Sequence, residues 1–138
     1  MRFMMLMLPA DYSHAAPDIR PSLESIERMM QYNFALQRAG VLLALDGLHP
    51  PSSGGARVSS VDGKTTVTDG PFAEAKEAIG GYWVLDVASR EEALAWAARC
   101  PLTPGETIEL RQMFEMTDFS PDVQQAVMKL HAQHESAT

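Results

Sequence analysis

The sequence contains one cysteine, few basic residues and no long apolar segment. With a single thiol, at Cys100, among 138 residues, no disulfide can form within the chain. The 18 acidic residues outnumber the 11 Lys and Arg residues, so the formal net charge is −7, and the basic residues are scattered. Because proteins that bind nucleic acid through its phosphates present a basic stripe, this distribution argues against nucleic-acid binding.

The apolar segments are too short to place the protein in a membrane. No stretch reaches the roughly 18 apolar residues that a membrane-spanning helix requires. The apolar run at residues 3–8 is short for the hydrophobic region of an export signal, and Asp11 follows it closely. We therefore expect a cytoplasmic protein with no membrane partner, in which this run forms a buried first strand.

The overall composition is that of a globular domain. Hydrophobic residues make up 46% of the chain and charged residues 21%, which excludes a disordered tail or a collagen-like fibre. The length corresponds to one domain, since domains average roughly 150 residues.

Local signals define the order of the secondary-structure elements. Ser22 is a typical helix N-cap before a periodic apolar segment, and Gly40 is a typical residue beyond a helix end. Asp62-Gly63 lies between two β-rich runs and predicts a hairpin, because glycine adopts positive φ without steric cost. The predicted order is strand 3–8, a helix after Ser22, strand 41–45, a hairpin over 57–68, strand 82–87, a helix after residue 89, strand 106–115 and a short helix over 122–134.

This order predicts an α+β protein with a ferredoxin-like sandwich and an inserted β-hairpin. Two β-α-β halves place both helices on one face of the sheet. In the first helix, the apolar stripe expected to face the core consists of Leu23, Ile26, Met30 and Phe34, and Met29 and Leu36 widen it. The strands at 3–8 and 82–87 are apolar at successive positions, so both of their faces should be covered. We therefore expect a homodimer in which a second chain covers the face that the helices leave bare.

A segment in the middle of the chain resembles a known family. Residues 67–77 read VTDGPFAEAKE, which resembles the DGPF signature of the YCII-related protein family. Residues 80–83, 91–97 and 109–111 resemble the start of that family's central strand, its second helix and its last strand. The resemblance covers roughly residues 1–116 and implies a dimeric α+β barrel, in which two ferredoxin-like sheets face each other. It also implies a YCII-related, DGPF-type domain over 1–116, followed by an extension over 117–138 whose short helix packs on the domain.

The resemblance does not imply a particular reaction. Many members of the family have no assigned activity, and some are encoded beside alternative sigma factors. Relatives outside the DGPF branch carry a His near the start of the first helix, proposed to act with an Asp. Leu23 stands at the corresponding place here, so that pair of residues is not carried over.

Three charged residues are the candidates for a binding site. We expect Asp69, Lys76 and Arg111 to approach one cavity, where two cations beside a carboxylate would suit a small anionic or phenolic ligand. Asp69 is also the candidate catalytic group, as a carboxylate able to move a proton. Each residue has a structural alternative: Asp69 can accept N–H bonds within its own turn, Lys76 can pair with neighbouring glutamates, and Arg111 can pair with Glu109.

The remaining reactive side chains have simpler interpretations. Cys100 is expected to be a small buried hydrophobic residue rather than a nucleophile. His49 is interpreted as a loop residue, and the role of His14 is left open. His131 and His134 have a spacing that can share a metal ion, but no third ligand lies near them in the sequence, so no metal site is predicted. No cofactor is predicted either.

Three classes of function fit these observations. The first is a small cofactor-independent enzyme acting on an organic molecule in a cleft at the dimer cavity. The second is a ligand-binding or regulatory module that uses the same cavity, with a link to sigma-factor-type transcription regulation. The third is a purely structural interaction protein. A cavity with convergent polar groups would favour the first two, and a filled interface would favour the third.

Overall fold

The structure is a computed structural model that describes residues 1–137. Its elements follow in the order β1 (Arg2–Leu8), α1 (Leu23–Arg38), β2 (Leu42–Gly47), β3 (Ala56–Val61), β4 (Lys64–Asp69), β5 (Gly81–Asp86), α2 (Arg90–Arg99), β6 (Thr107–Gln112) and α3 (Pro121–Ala137). Short 3₁₀ turns lie at Tyr12–His14 and Met116–Asp118. This mixture of helices and antiparallel strands confirms the predicted α+β class.

Four strands form one antiparallel sheet in the order β2-β5-β1-β6. The central strand β1 pairs with β5 on one side and with β6 on the other, so that Met5 lies between Trp83 and Leu110. At one end of the sheet, Met7 pairs with Gly81, which also pairs with Gly47. This row closes the end of the sheet where β1 finishes and α1 begins.

The two faces of the sheet differ in burial. Burial alternates along β1 and β5, and the side chains of Phe3, Met5, Trp83 and Leu85 are buried under the helices. The residues between them on the other face are half-buried, and they include the apolar residues Met4, Leu6, Leu8, Tyr82 and Val84. Within one chain, therefore, helices cover one face of these doubly apolar strands.

Helix α1 begins and ends where the sequence predicts, but a different face of it is buried. The Ser22 hydroxyl accepts the N–H of Ser25 at 3.1 Å, and Gly40 follows the helix with a φ of 74°. The buried residues of α1 are Tyr32 and Leu36. The prediction is wrong for the four main members of the stripe, which are 41% to 72% exposed: Leu23, Ile26, Met30 and Phe34. It is right for the two residues that widen the stripe, because Leu36 is buried and Met29 packs against the core.

Aromatic contacts explain why this face of α1 turns inward. The ring of Tyr32 meets that of Trp83 edge-on, with centroids 6.0 Å apart. The Tyr32 hydroxyl donates to the carbonyl of Trp96 in α2 at 2.6 Å, which joins the two helices. Burial is the main reason that the pKa of Tyr32 is raised above its ordinary value. A buried Tyr with a satisfied hydroxyl fixes the rotation of α1 about its axis.

The hairpin of β3 and β4 forms a separate two-stranded sheet. Its two-residue turn is confirmed, since Asp62 and Gly63 have φ values of 50° and 75°. Every residue of β3 and β4 is exposed. At the base of the hairpin, the N–H of Gly70 donates to the carbonyl of Gly55 at 2.8 Å.

The C-terminal part differs from the prediction in length. Strand β6 ends at Gln112 rather than at residue 115, and the exposed ring of Phe114 stacks on Phe119 at a centroid distance of 5.3 Å. Helix α3 has 17 residues, more than the predicted 122–134, and none of them is buried. Packing of α3 on the domain and the boundary at residue 117 stay predictions. Among residues 1–137, no helix is both long enough and apolar enough to span a bilayer.

Candidate ligand site

A cavity of about 650 Å³ lies at the end of the sheet where β1 finishes, and we call it the α1 cavity. One wall is the first half of α1, the floor is formed by β1, β2 and β5, and the rim is formed by the loops after β1, β2 and α2. Its volume falls within the range of small-molecule sites, roughly 300–1,000 Å³. The space exists partly because Met7, Gly81 and Gly47 pair across the sheet at this end. The two glycines have no side chains that would fill the cavity above the strands.

The walls of the α1 cavity are mainly apolar. The apolar side chains that line it include Met7, Ile26, Met29, Met30, Leu45 and Trp83. Methionine adapts its shape readily, so three methionines give walls that can follow ligands of different outline. Such walls favour binding of a ligand with a large apolar surface, because that surface is removed from water in the cavity.

Asn33 offers a hydrogen-bond donor in this apolar wall. The Trp83 indole N–H donates to Asn33 Oδ1 at 2.8 Å, and both residues line the cavity. Because an indole nitrogen only donates, the amide oxygen of Asn33 must face Trp83 and the amide nitrogen must face away. Among the described residues that NH₂ group has no partner, so it is free to donate to a ligand.

Two polar groups at the rim are already engaged. The Glu106 carboxylate accepts from both the N–H and the hydroxyl of Thr103, each at 2.6 Å. The Tyr12 hydroxyl donates to the carbonyl of Leu48 at 2.6 Å, and burial raises the pKa of Tyr12 while nearby Arg20 lowers it. Glu106 is thereby held in one orientation, and Tyr12 is fixed in the loop.

Basic side chains at the cavity have hydrogen-bond donors without partners in residues 1–137. Arg20 donates to the carbonyls of Ile19 and Pro17 at 2.8 and 3.4 Å, which uses one of its nitrogens. Arg28 and His49 line the cavity without a hydrogen bond or ion pair to any residue in 1–137. An arginine has five N–H donors, so both guanidinium groups retain donors for an anionic ligand.

The three charged residues predicted from the sequence lie elsewhere in the chain. Asp69 ends β4 in the hairpin, Lys76 lies in the following loop, and both are exposed. Arg111 lies on β6 and donates to Glu109 at 3.3 Å, the local pairing that was the structural alternative. None of the three is among the residues that line the α1 cavity. Their meeting in one site stays a prediction.

Other predicted residues have defined surroundings. Cys100 is buried, and its pKa is raised to about 12, first by burial and then by the charge of Glu106. Such a thiol is protonated at neutral pH. His14 Nδ1 lies 3.0 Å from the hydroxyl of the buried Ser13. His131 and His134 lie on α3, and within residues 1–137 no group of three His, Cys, Asp or Glu is arranged to hold a metal ion.

Among the polar cavity residues, His49 was considered from the sequence but interpreted as a loop residue, whereas Asn33, Arg20 and Arg28 were not singled out. One signal was present: Asn33 lies on the same side of α1 as two apolar residues, three residues after Met30 and four after Met29. A polar residue on an apolar helix face marks either a satisfied core contact or a candidate binding site; Asn33 makes a hydrogen bond to Trp83 and also lines the cavity. Arg20 and Arg28 carried no such signal, because charged residues near the start of a helix are ordinary.

Comparison with known proteins shows the family of this chain. The model of the YCII-related domain matches residues 1–117. The chain belongs to the YCII-related domain family. An uncharacterized protein of Rhizobium meliloti (strain 1021) is 41% identical over 80 residues, which are 55% of this chain and 64% of that protein. The match thus spans somewhat less than two thirds of that relative's length, and helix α3 lies beyond the part that defines the YCII-related domain.

Proposed function

We propose that this YCII-related domain binds a small, largely apolar organic molecule with an anionic or phenolic group in the α1 cavity. The observation that carries the proposal is an apolar cavity of about 650 Å³ lined by a free amide donor, Asn33, and two uncommitted side chains, Arg28 and His49. The apolar walls take the body of the ligand, and the polar groups fix its orientation. Binding is the function that this geometry supports best, because apolar walls and the free donor group of Asn33 meet in one cavity.

A second candidate is an acid–base enzyme that uses the same cavity without a cofactor. The orientation of Glu106 favours it, since two hydrogen bonds from Thr103 hold its carboxylate at the rim. A positioned carboxylate in an apolar site can act as a general base. If this candidate is correct, small molecules released from the purified wild-type and Glu106→Gln proteins will differ chemically, as product and substrate do. Identical molecules would contradict the catalytic candidate and support binding without catalysis.

We further propose that two chains form a homodimer through the bare sheet face, as two ferredoxin-like sandwiches facing each other in an α+β barrel. The half-buried apolar residues of β1 and β5 support this arrangement. So does the accessible surface of one chain, 9732 Å², because a monomer of this mass exposes about 7,100 Å². Covering that face would also provide a setting in which Asp69, Lys76 and Arg111 of different chains could meet.

The ligand proposal is tested by titration with 8-anilinonaphthalene-1-sulfonate, a fluorescent apolar anion. We expect saturable binding, and we expect Arg28→Gln to weaken it about tenfold, the equivalent of one charge-assisted hydrogen bond worth roughly 1.4 kcal/mol. Arg90→Gln is the matched control, because Arg90 is an exposed arginine at the start of α2 and does not line the cavity. Equal affinities of the two variants would overturn the proposed site.

A further inference from the structure

Two helices of this chain each carry an apolar stripe that is largely exposed within residues 1–137. The outer stripe of α1 consists of Leu23, Ile26, Met30 and Phe34, which are 41% to 72% exposed. The stripe of α3 consists of Val123, Val127 and Leu130, with Val123 and Leu130 42% and 64% exposed. Spacings of three and four residues place each set along one side of its helix. Exposed apolar stripes on two helices of one protein indicate an interaction surface.

The total exposed surface is large enough for the occupant to be a second copy of the chain. The 9732 Å² of accessible surface exceeds the amount expected for a monomer of this mass by about 2,600 Å². An obligate dimer buries more than about 2,000 Å² in total, or 1,000 Å² from each chain, so the excess is sufficient for one. Both stripes belong to the same chain, and a two-fold axis would therefore form the contact between α1 and α3 twice.

The dimensions of the two stripes are compatible. From Leu23 to Phe34 the stripe of α1 rises about 16 Å, at 1.5 Å per residue. On α3 the same rise leads from Val123 to His134, with Val127 and Leu130 between them. The two helices can therefore lie side by side over three turns.

Charges at the ends of the helices favour an antiparallel arrangement. The first half of α1 carries Glu24 and Glu27 beside Arg28, whereas its last turn carries Arg38. Helix α3 has the same order, with Asp122 in its first turn and Lys129 in its second half, before Glu135. Antiparallel packing brings acidic ends to basic ends and also opposes the two helix dipoles favourably.

The outer stripe of α1 also borders the α1 cavity. Ile26 and Met30 are members of the stripe and line the cavity, while both remain more than 40% exposed. A helix laid on them would exclude water from that side of the cavity. We propose that α3 of a second copy packs antiparallel on the outer stripe of α1 and closes this side of the α1 cavity. The closure rests on the proposed ligand site, whereas the helix contact does not.

Disulfide crosslinking between chains tests the helix contact. In a Cys100→Ser background, which removes the native thiol, one chain carries Phe34→Cys and another carries Val123→Cys. Antiparallel packing places these two positions opposite each other, so the oxidised mixture should contain linked dimers. Replacing Val123→Cys with Leu130→Cys, about 10 Å further along α3, should give at least fivefold less product.

The other outcomes of the crosslinking experiment overturn the contact. Linked dimers formed by the Val123→Cys chain alone would mean that α3 packs on another α3. A disulfide within a monomer that carries both Phe34→Cys and Val123→Cys would mean that α3 folds back on its own α1. If Cys100→Ser is poorly folded, sedimentation of Leu130→Glu in the native background replaces the crosslink. We then expect weaker self-association than for Gln125→Glu, whose position lies on the opposite side of α3, and equal association would overturn the contact.

Closure of the cavity has its own measurement. Binding of 8-anilinonaphthalene-1-sulfonate is compared with and without Arg28→Gln, and the Arg28-dependent part reports the α1 cavity. Leu130→Glu should weaken that part at least about fivefold, and Gln125→Glu should not. If Arg28-dependent binding is present but Leu130→Glu leaves it unchanged, the closure is wrong and the ligand site stands. If no Arg28-dependent binding occurs, the ligand site itself fails, and crosslinking alone decides the helix contact.

Discussion

At the scale of single residues, Gly70 illustrates how a close backbone approach dictates residue type. We expect from the sequence that Gly70 adopts a backbone conformation unfavourable for other residues, but its φ is not among the positive values in this chain. The requirement is steric instead, because a Cβ at Gly70 would overlap the carbonyl of Pro51. The same carbonyl is close to Gly55, whose own carbonyl accepts the N–H of Gly70. Two glycines thus let the hairpin meet the loop after β2.

We predict that Gly70→Ala lowers the free energy of unfolding by about 1–3 kcal/mol, because the new methyl group forces backbone atoms apart. The measurement is the urea denaturation midpoint of the variant and of wild-type protein. Thr68→Ala is the control, since Thr68 lies two residues earlier in β4 and is exposed. Equal midpoints for Gly70→Ala and wild type would contradict the close approach.

At the scale of elements, an ion pair attaches the segment after β6 to the start of β1. Arg2 Nε donates to Glu115 Oε1 at 2.9 Å, and Arg2 Nη2 donates to the carbonyl of Phe114 at 3.0 Å. Both charged side chains are about 40% exposed, so solvent screens their attraction. The hydrogen bond from Arg2 nonetheless lowers the pKa of Glu115 below its usual 4.5. This contact sets where the chain leaves the sheet on its way to α3.

The lowered pKa of Glu115 predicts a contribution to acid sensitivity. A carboxylate with a lower pKa in the folded state stabilises the fold above its unfolded value of 4.5, and the stabilisation is lost as pH falls through the folded value. Between neutral pH and pH of about 3, the thermal midpoint of Glu115→Gln should therefore fall less than that of wild type. Glu91→Gln, an exposed position in the first turn of α2, is the control. Parallel pH profiles for wild type and Glu115→Gln would be inconsistent with the pairing.

At the scale of the whole molecule, the chain has more exposed surface than its mass requires. The excess has three sources: the bare face of the four-stranded sheet, the exposed hairpin and helix α3. A two-stranded hairpin without further packing is marginally stable in water. Val58 and Val67, paired across the hairpin, are 69% and 63% exposed. All three surfaces are explained together if the folded unit contains two chains.

We therefore predict that sedimentation at micromolar concentration gives twice the chain mass of 15.1 kDa. Val84→Asp places a charge on the bare face of β5 and should shift the sedimentation toward the single-chain mass, because an unpaired charge is costly to bury. Ala98→Asp, on an exposed position of α2, is the matched control and should leave the mass unchanged. A single-chain mass for the wild-type protein would refute the dimer.

The sequence by itself determined the local features of this protein. The Ser22 cap, the glycine after α1, the Asp62-Gly63 turn and the α+β order of elements all follow from neighbours in the chain. Each depends on the backbone preference or hydrogen-bonding of a few adjacent residues, so no distant partner was needed to predict it. The motif over residues 67–77 also indicated the family, and the match over residues 1–117 confirmed that resemblance.

Only the tertiary structure decided which face of α1 is buried and where a cavity lies. Apolar residues occupy a broad arc of α1, so periodicity alone could not distinguish the stripe through Phe34 from the face that carries Tyr32. The contact with Trp83, 51 positions away from Tyr32, made that choice. The cavity likewise arises where α1, three strands and three loops meet, and Arg28 and Asn33 become site residues only through that meeting. Arginine and asparagine are ordinary residues in a helix, and only long-range packing puts these two at a cavity.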